Sequence, residues 1–272
     1  MRRLMWPALT AALVLSAIAA LMLGSVAISA ADVWRAVVAG DTTTHALIVR
    51  TIRAPRVLLA MLVGAGLAMS GTALQGVLRN ALADPYLLGV SGGAAVGAVL
   101  AVALGTQLPF VVALAGFGGA VLAVITVLAV ARFAKSGADV RVLVLAGLLV
   151  GAFANALVMV TLVAAPADAV RGALWWMMGS LGGASWRDVL WTAPLILVAA
   201  SLLIHWGRQI DVLARGDDAA ASLGVDADRA ARRVFLAASL LAAATVVAAG
   251  LVGFVGLIVP NLVRRPAGGR HR

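Results

Sequence analysis

The side chains able to do chemistry in this sequence are few, and their spacing excludes most reactions. Three histidines, His45, His205 and His271, stand far apart and show none of the short spacings that gather metal ligands. There is no cysteine, which removes disulfides, thiolate metal sites and thiol nucleophiles. The single lysine, Lys135, sits between Ala134 and Ser136–Gly137 without a glycine-rich phosphate cradle, so the chain cannot hydrolyse ATP through a P-loop. No catalytic constellation remains, no cofactor is expected, and the chain reads as a non-enzyme. What is left is recognition. Arg50, Arg53 and Arg56 cluster around Pro55. Guanidinium groups of this kind bind carboxylates in a bidentate fork, and they also anchor helix ends at lipid phosphates. Asp217 and Asp218 open a short alanine-rich stretch, where acidic groups suit the positive end of a helix. Gln75 and Asn155 lie inside apolar runs, and Asn155 must find a partner or face a water-filled path.

The elements that position these groups are set by composition. The chain has 272 residues, 63% hydrophobic and 12% charged, with a mean hydropathy of +1.07. A soluble protein of this length has no core large enough to hide so much apolar surface. The chain is an integral membrane protein, and its apolar runs have the ~20-residue length of spanning helices, which makes it all-α. Seven segments satisfy the ~20-residue criterion with allowance for tilt, near 5–28, 57–78, 88–105, 108–132, 142–165, 189–207 and 233–251. The first exceeds the ~7–15 residue core of a signal peptide and is read as a retained span. The net charge of +10 falls in short loops between apolar runs, which fits membrane lipid and topology rather than nucleic acid. Basic residues favour a cytoplasmic N-terminus only weakly.

Two further stretches stand out. Residues 208–232 form the longest polar connection, with Gly224 a plausible helix stop and Asp226 a plausible start of a second short helix. Residues Gly250 to Pro260 repeat glycine every third position, which predicts close packing or a broken half-helix buried in protein. Glycine pairs at Gly93/Gly97 and Gly147/Gly151 mark helix packing faces.

The order of these motifs closely resembles that of the FecCD/BtuC-type permease subunits of iron-siderophore, heme and cobalamin ABC importers. The family's R-x-P-R stands here as Arg53–Ala54–Pro55–Arg56. Its GA-x-LA-x-SG-x-x-x-Q runs from Gly64 to Gln75, and its RNPLA-x-P-x-x-LG-x-S-x-GA from Arg79 to Ala94, including Asn80, with Ala81 at the usual proline. The family's coupling segment is matched by Leu213, Gly216, Asp217, Ala220, Leu223, Gly224 and Val225, with Arg215 departing from the usual apolar residue. Trp175 to Ser180, including Gly179, resembles the W-x-x-GS segment beside the translocation pathway. Gly250 to Arg264, including Pro260, resembles the G-x-IGFVGL-x-x-PH-x-x-R motif, with Asn261 for the usual histidine.

The resemblance implies a type II ABC importer permease fold, a single permease domain over 1–272, and a homodimer in the cytoplasmic membrane of a bacterium. It implies ABC ATPase subunits docked at the 208–232 coupling loop, and a periplasmic or lipid-anchored binding protein docked at Arg53 and Arg56. Gln75, Asn80, Asn155, Gly179, Ser180 and Pro260 become candidates for lining or packing the pathway. Relatives have roughly ten spans where the ~20-residue rule finds seven, so a shortened C-terminus is expected. An ion-coupled secondary transporter and a truncated non-transporting remnant remain alternative readings. The first is disfavoured because the acidic residues fall in loops.

Overall fold

The computed structural model describes residues 2–106, 108–133 and 140–267. Among them every regular element is helical. In chain order these are α1 (Arg2–Met22), α2 (Ala30–Val38), α3 (Thr44–Leu47), a π-helical stretch Ile48–Arg53, α4 (Ala54–Val77), a 3-10 turn Pro85–Leu88, α5 (Val90–Ala103), α6 (Pro109–Phe133) and α7 (Val140–Ala164). Then follow α8 (Ala167–Met177), α9 (Trp186–His205), α10 (Gly207–Leu213), α11 (Asp217–Ser222), α12 (Ala227–Ala249) and α13 (Val255–Ala267).

Six helices among the described residues are long and apolar enough to cross a membrane. The segment expected over 88–105 is the difference. Pro85 and a left-handed Gly89 spend its first residues on a 3-10 turn, which leaves α5 only 14 residues, about 21 Å at 1.5 Å per residue. The first expected span also ends early. α1 stops at Met22, and residues 23–29 leave the helix before Ser29 caps α2 by accepting from the Asp32 amide. Lys135 and its neighbours, His271 and residues 268–272 lie outside the described residues.

α4 and α12 form the middle of the bundle. α12 carries the run Ala242–Ala243–Ala244, all buried, so that α4, α6 and α9 all come close to it. Ser70 on α4 donates to the Ala238 carbonyl at 2.8 Å, a side-chain bond between two spans. Around this middle, glycine decides which helices touch. A Cβ on Gly93 or Gly97 of α5 would collide with backbone carbonyls of Gly119 and Ala115 on α6. Gly147 of α7 meets Leu88 in the same way. The expected packing pairs are therefore backbone-to-backbone contacts. Large apolar side chains such as Leu122, Phe153, Val163 and Leu190 point outward, as they must when lipid is the solvent.

Candidate functional site

α4 has a loop cluster at each end, and the residues singled out from the sequence divide between them. At the N-terminal end the π-helical stretch runs straight into α4, with Pro55 in the first turn, where it has no N–H to give the carbonyls of the preceding turn. Arg53 is only 7% exposed. Its Nη1 donates to the Leu21 carbonyl at 2.7 Å, and its Nη2 donates to the Val26 carbonyl. The first is one of the carbonyls set free where α1 ends, and the second lies in the connection beyond it. Arg50 donates from Nε to the Ala36 carbonyl of α2, and its own carbonyl accepts from Trp186 Nε1 at 2.8 Å. Arg56 is half-buried and donates from Nη2 to the Gly182 carbonyl. The paired docking patch expected at Arg53 and Arg56 is thus not what is seen. Arg53 is held inside as a clamp on the α1–α2 connection, and only Arg56 keeps part of its surface.

At the other end, α4 closes in a Schellman arrangement. The Asn80 amide donates to the Gln75 carbonyl at 3.2 Å and the Arg79 amide to the Gly76 carbonyl at 3.3 Å. Arg79 takes the left-handed position, φ 50°, where glycine is the usual residue. Its guanidinium reaches across to Asp217, the first residue of α11. Arg79 is held charged above its ordinary range, first by its hydrogen bond to Asp217 and then by the charges of Asp217 and Asp218. Both side chains are substantially exposed, so the pair adds only about 0–1 kcal/mol to stability.

The rest of this loop is bound through side-chain amides. Asn80 Oδ1 accepts from the Leu82 amide at 2.9 Å. Gln75, buried on α4, donates from Nε2 to the Ala83 carbonyl at 3.2 Å and to the Leu257 carbonyl of α13 at 3.3 Å. Asn261 on α13 donates from Nδ2 to the Ala81 carbonyl at 2.9 Å and to the same Leu257 carbonyl at 3.0 Å. Sequence reasoning singled out Gln75 and Asn80 but missed Asn261 as a loop ligand and Arg79 as a partner of Asp217. Each stood in a visible motif; nothing local linked positions so far apart.

The expected coupling segment forms a compact elbow. α10 and α11 are its two short helices. The helix expected to begin at Asp226 is instead the first turn of α12, which Asp226 caps by accepting from the Arg229 amide at 3.0 Å, so no second short helix separates loop from span. Leu213 and Ala220 are buried and fix the elbow to the body. Gly216 opens α11 at φ 116°, and Gly224 closes it at φ 71° in a second Schellman turn, with the Val225 amide donating to the Ala220 carbonyl at 2.9 Å. Asp217, Leu223 and Gly224 stand at the surface, Leu223 60% exposed.

The remaining candidates are structural in their contacts. Gly179, φ 67°, sits against the 249–251 turn, where the Ser180 amide donates to the Ala249 carbonyl at 2.8 Å. The Ser180 hydroxyl accepts from the Gly182 amide at 3.0 Å. Residues 250–254 break the helix as the glycine repeat predicted, and α13 then runs through Pro260. Pro260 has no amide to give the Gly256 carbonyl, and that carbonyl instead faces Gly71, where any Cβ would collide with it. Asn155 is exposed on α7.

Among the described residues the chain is an all-α polytopic membrane scaffold, with a break between α12 and α13 and a capped surface elbow. The model of the FecCD transport family matches residues 12–272, and the chain belongs to that family. It is 43% identical over 234 residues to the cobalamin import system permease protein BtuC of Halobacterium salinarum, covering 86% of this chain and 63% of that protein. It is 36% identical over 275 residues to the hemin transport system permease protein HmuU of Yersinia pestis, covering 99% of this chain and 81% of that one. A solved metal-chelate type ABC transporter in an inward-facing conformation superposes with a TM-score of 0.83 at 29% identity, over 97% of this chain and 82% of the other. The chain thus spans less than two thirds of the length of its halobacterial relative.

Proposed function

We propose that the chain is the transmembrane permease subunit of an ATP-binding-cassette importer that moves an iron complex (ferric siderophore or heme) or cobalamin across the cytoplasmic membrane. The observation that carries this reading is the elbow at 207–225. Two buried residues, Leu213 and Ala220, root it in the bundle, while Leu223 and Gly224 offer a small apolar tip to a partner. Such a tip fits a cleft on a separate ATPase subunit, which supplies the energy this chain has no P-loop to harvest. Bound nucleotide shifts the balance between two conformations by binding them unequally.

In this reading the N-terminus, the 79–84 loop and α11 face the cytoplasm. The α2–α3 segment and Arg56 face outward, toward a substrate-binding protein whose carboxylates Arg56 meets. The working unit is a homodimer with the path along its axis, and Asn155, Gly179 and Ser180 flank that path. An ion-coupled carrier is the weaker reading, because acidic residues in the described spans are confined to their first turns, as with Asp188 in α9 and Asp228 in α12. The test is uptake into proteoliposomes that contain the chain, its ATPase and its binding protein, with ferric siderophore, heme and cobalamin as separate cargoes. Nucleotide-dependent uptake of one of them is expected. Uptake that follows an ion gradient and ignores nucleotide removes the proposal.

A further inference from the structure

The left-handed C′ position of a helix favours glycine, because any side chain there crowds its own backbone. The chain places Arg79 in that position at the end of α4. What the arginine gains is reach: its guanidinium holds Asp217 at the start of α11. An exposed pair of this kind adds little to folding, so the strained position has another use. Beyond Arg79 the loop is bracketed by two side-chain amides. Gln75 from α4 and Asn261 from α13 converge on one carbonyl, Leu257, and each also takes a carbonyl of the loop, Ala83 and Ala81 respectively. α13 in turn meets α4 backbone-to-backbone at Gly71 and Gly256. A continuous chain of polar and close-packed contacts therefore runs from the surface elbow into the two helices.

We propose that the 79–84 loop is a rigid link: Arg79 couples α11 to it, and the Gln75–Asn261 amide bracket passes displacement of α11 to α4 and α13. Arg79 and Asn261 are positioning residues. They touch neither cargo nor nucleotide, and they set how much of a push on α11 reaches the spans. This inference rests on the coupling role proposed for α11, and it adds the route by which that push travels.

Arg79→Gly separates a structural from a transmitting role, because glycine relieves the left-handed backbone while removing the ion pair. In proteoliposomes with the ATPase and binding protein, Arg79→Gly should keep its ATPase subunit on copurification yet move about tenfold less cargo per ATP, and Arg79→Lys should recover much of the loss. The absence of native cysteine allows spin labels at Leu82→Cys and Ser222→Cys alone. Their distance distribution should be narrow in the otherwise unaltered chain and broaden in the Arg79→Gly background. Undiminished cargo per ATP, or an equally narrow distribution after Arg79→Gly, overturns the link. Loss of the ATPase from Arg79→Gly also overturns it, by making Arg79 a docking residue. Failure of the unaltered chain to retain an ATPase subunit removes the importer reading instead.

Discussion

The two ends of α4 use arginine in opposite ways. At the N-terminal end Arg50 and Arg53 turn inward and spend their donors on backbone carbonyls of the preceding turns. At the C-terminal end Arg79 turns outward and spends its donors on one carboxylate of a distant element. The first arrangement fixes a connection; the second joins two surface elements without adding much stability. Residue type and motif are equally visible in both places. What separates them is burial, because a buried guanidinium must be fully occupied whereas an exposed one adds little stability and serves to join its partner.

Substitutions sharpen that contrast, beginning with the largest effect. Arg53→Met strips two charged hydrogen bonds from the α1–α2 connection, each worth about 1.5–3 kcal/mol. It should lower stability by about 3 kcal/mol or more, seen as a reduced Tm in detergent and faster proteolysis within residues 23–29. An unchanged Tm would return Arg53 to the surface role read from sequence. Asn261→Leu removes two neutral bonds of about 1 kcal/mol each and should cost about 2 kcal/mol, with exchange of the Ala81–Ala83 amides accelerated. If amide exchange there stays slow, the bracket does not hold the loop.

Arg56→Glu acts at the half-exposed guanidinium. It should weaken binding-protein association about tenfold, or about 1.4 kcal/mol, with the deficit shrinking at high salt. Affinity that is indifferent to both the substitution and salt would take Arg56 out of the docking surface. Arg79→Gly should change unfolding free energy by less than about 1 kcal/mol, because loss of a surface pair and relief of a left-handed residue nearly cancel. A large destabilisation would place Arg79 with Arg53, and the contrast between the two ends would fail.

Much of the fold was legible because an apolar run of about 20 residues has the length of a helix that crosses the bilayer. The glycine pairs at 93/97 and 147/151 were equally plain, since small residues at that spacing serve close helix approach. The misread boundaries have local causes. The run through residue 28 looks continuous by hydropathy, but Arg53 captures the carbonyls at 21 and 26 and the chain leaves the helix between them. The start of α5 is displaced because Pro85 and Gly89 together build a turn that hydropathy does not register. Pro260 lies inside α13, where the carbonyl it leaves without a donor is used against Gly71 and the helix continues. Of the site, the segments were visible and their pairing was not: Arg79 and Asp217 meet only because α4, α10 and α12 pack together.

The most direct test of the account is retention of an ATPase subunit by the elbow. The chain, co-expressed with the ATPase and purified in mild detergent, is compared with Leu223→Asp, which puts a charge on the exposed apolar tip while leaving buried Leu213 and Ala220 in place. Stoichiometric ATPase is expected with the unaltered chain, and little or none with Leu223→Asp at unchanged Tm. Equal retention by both, or retention by neither, contradicts that expectation.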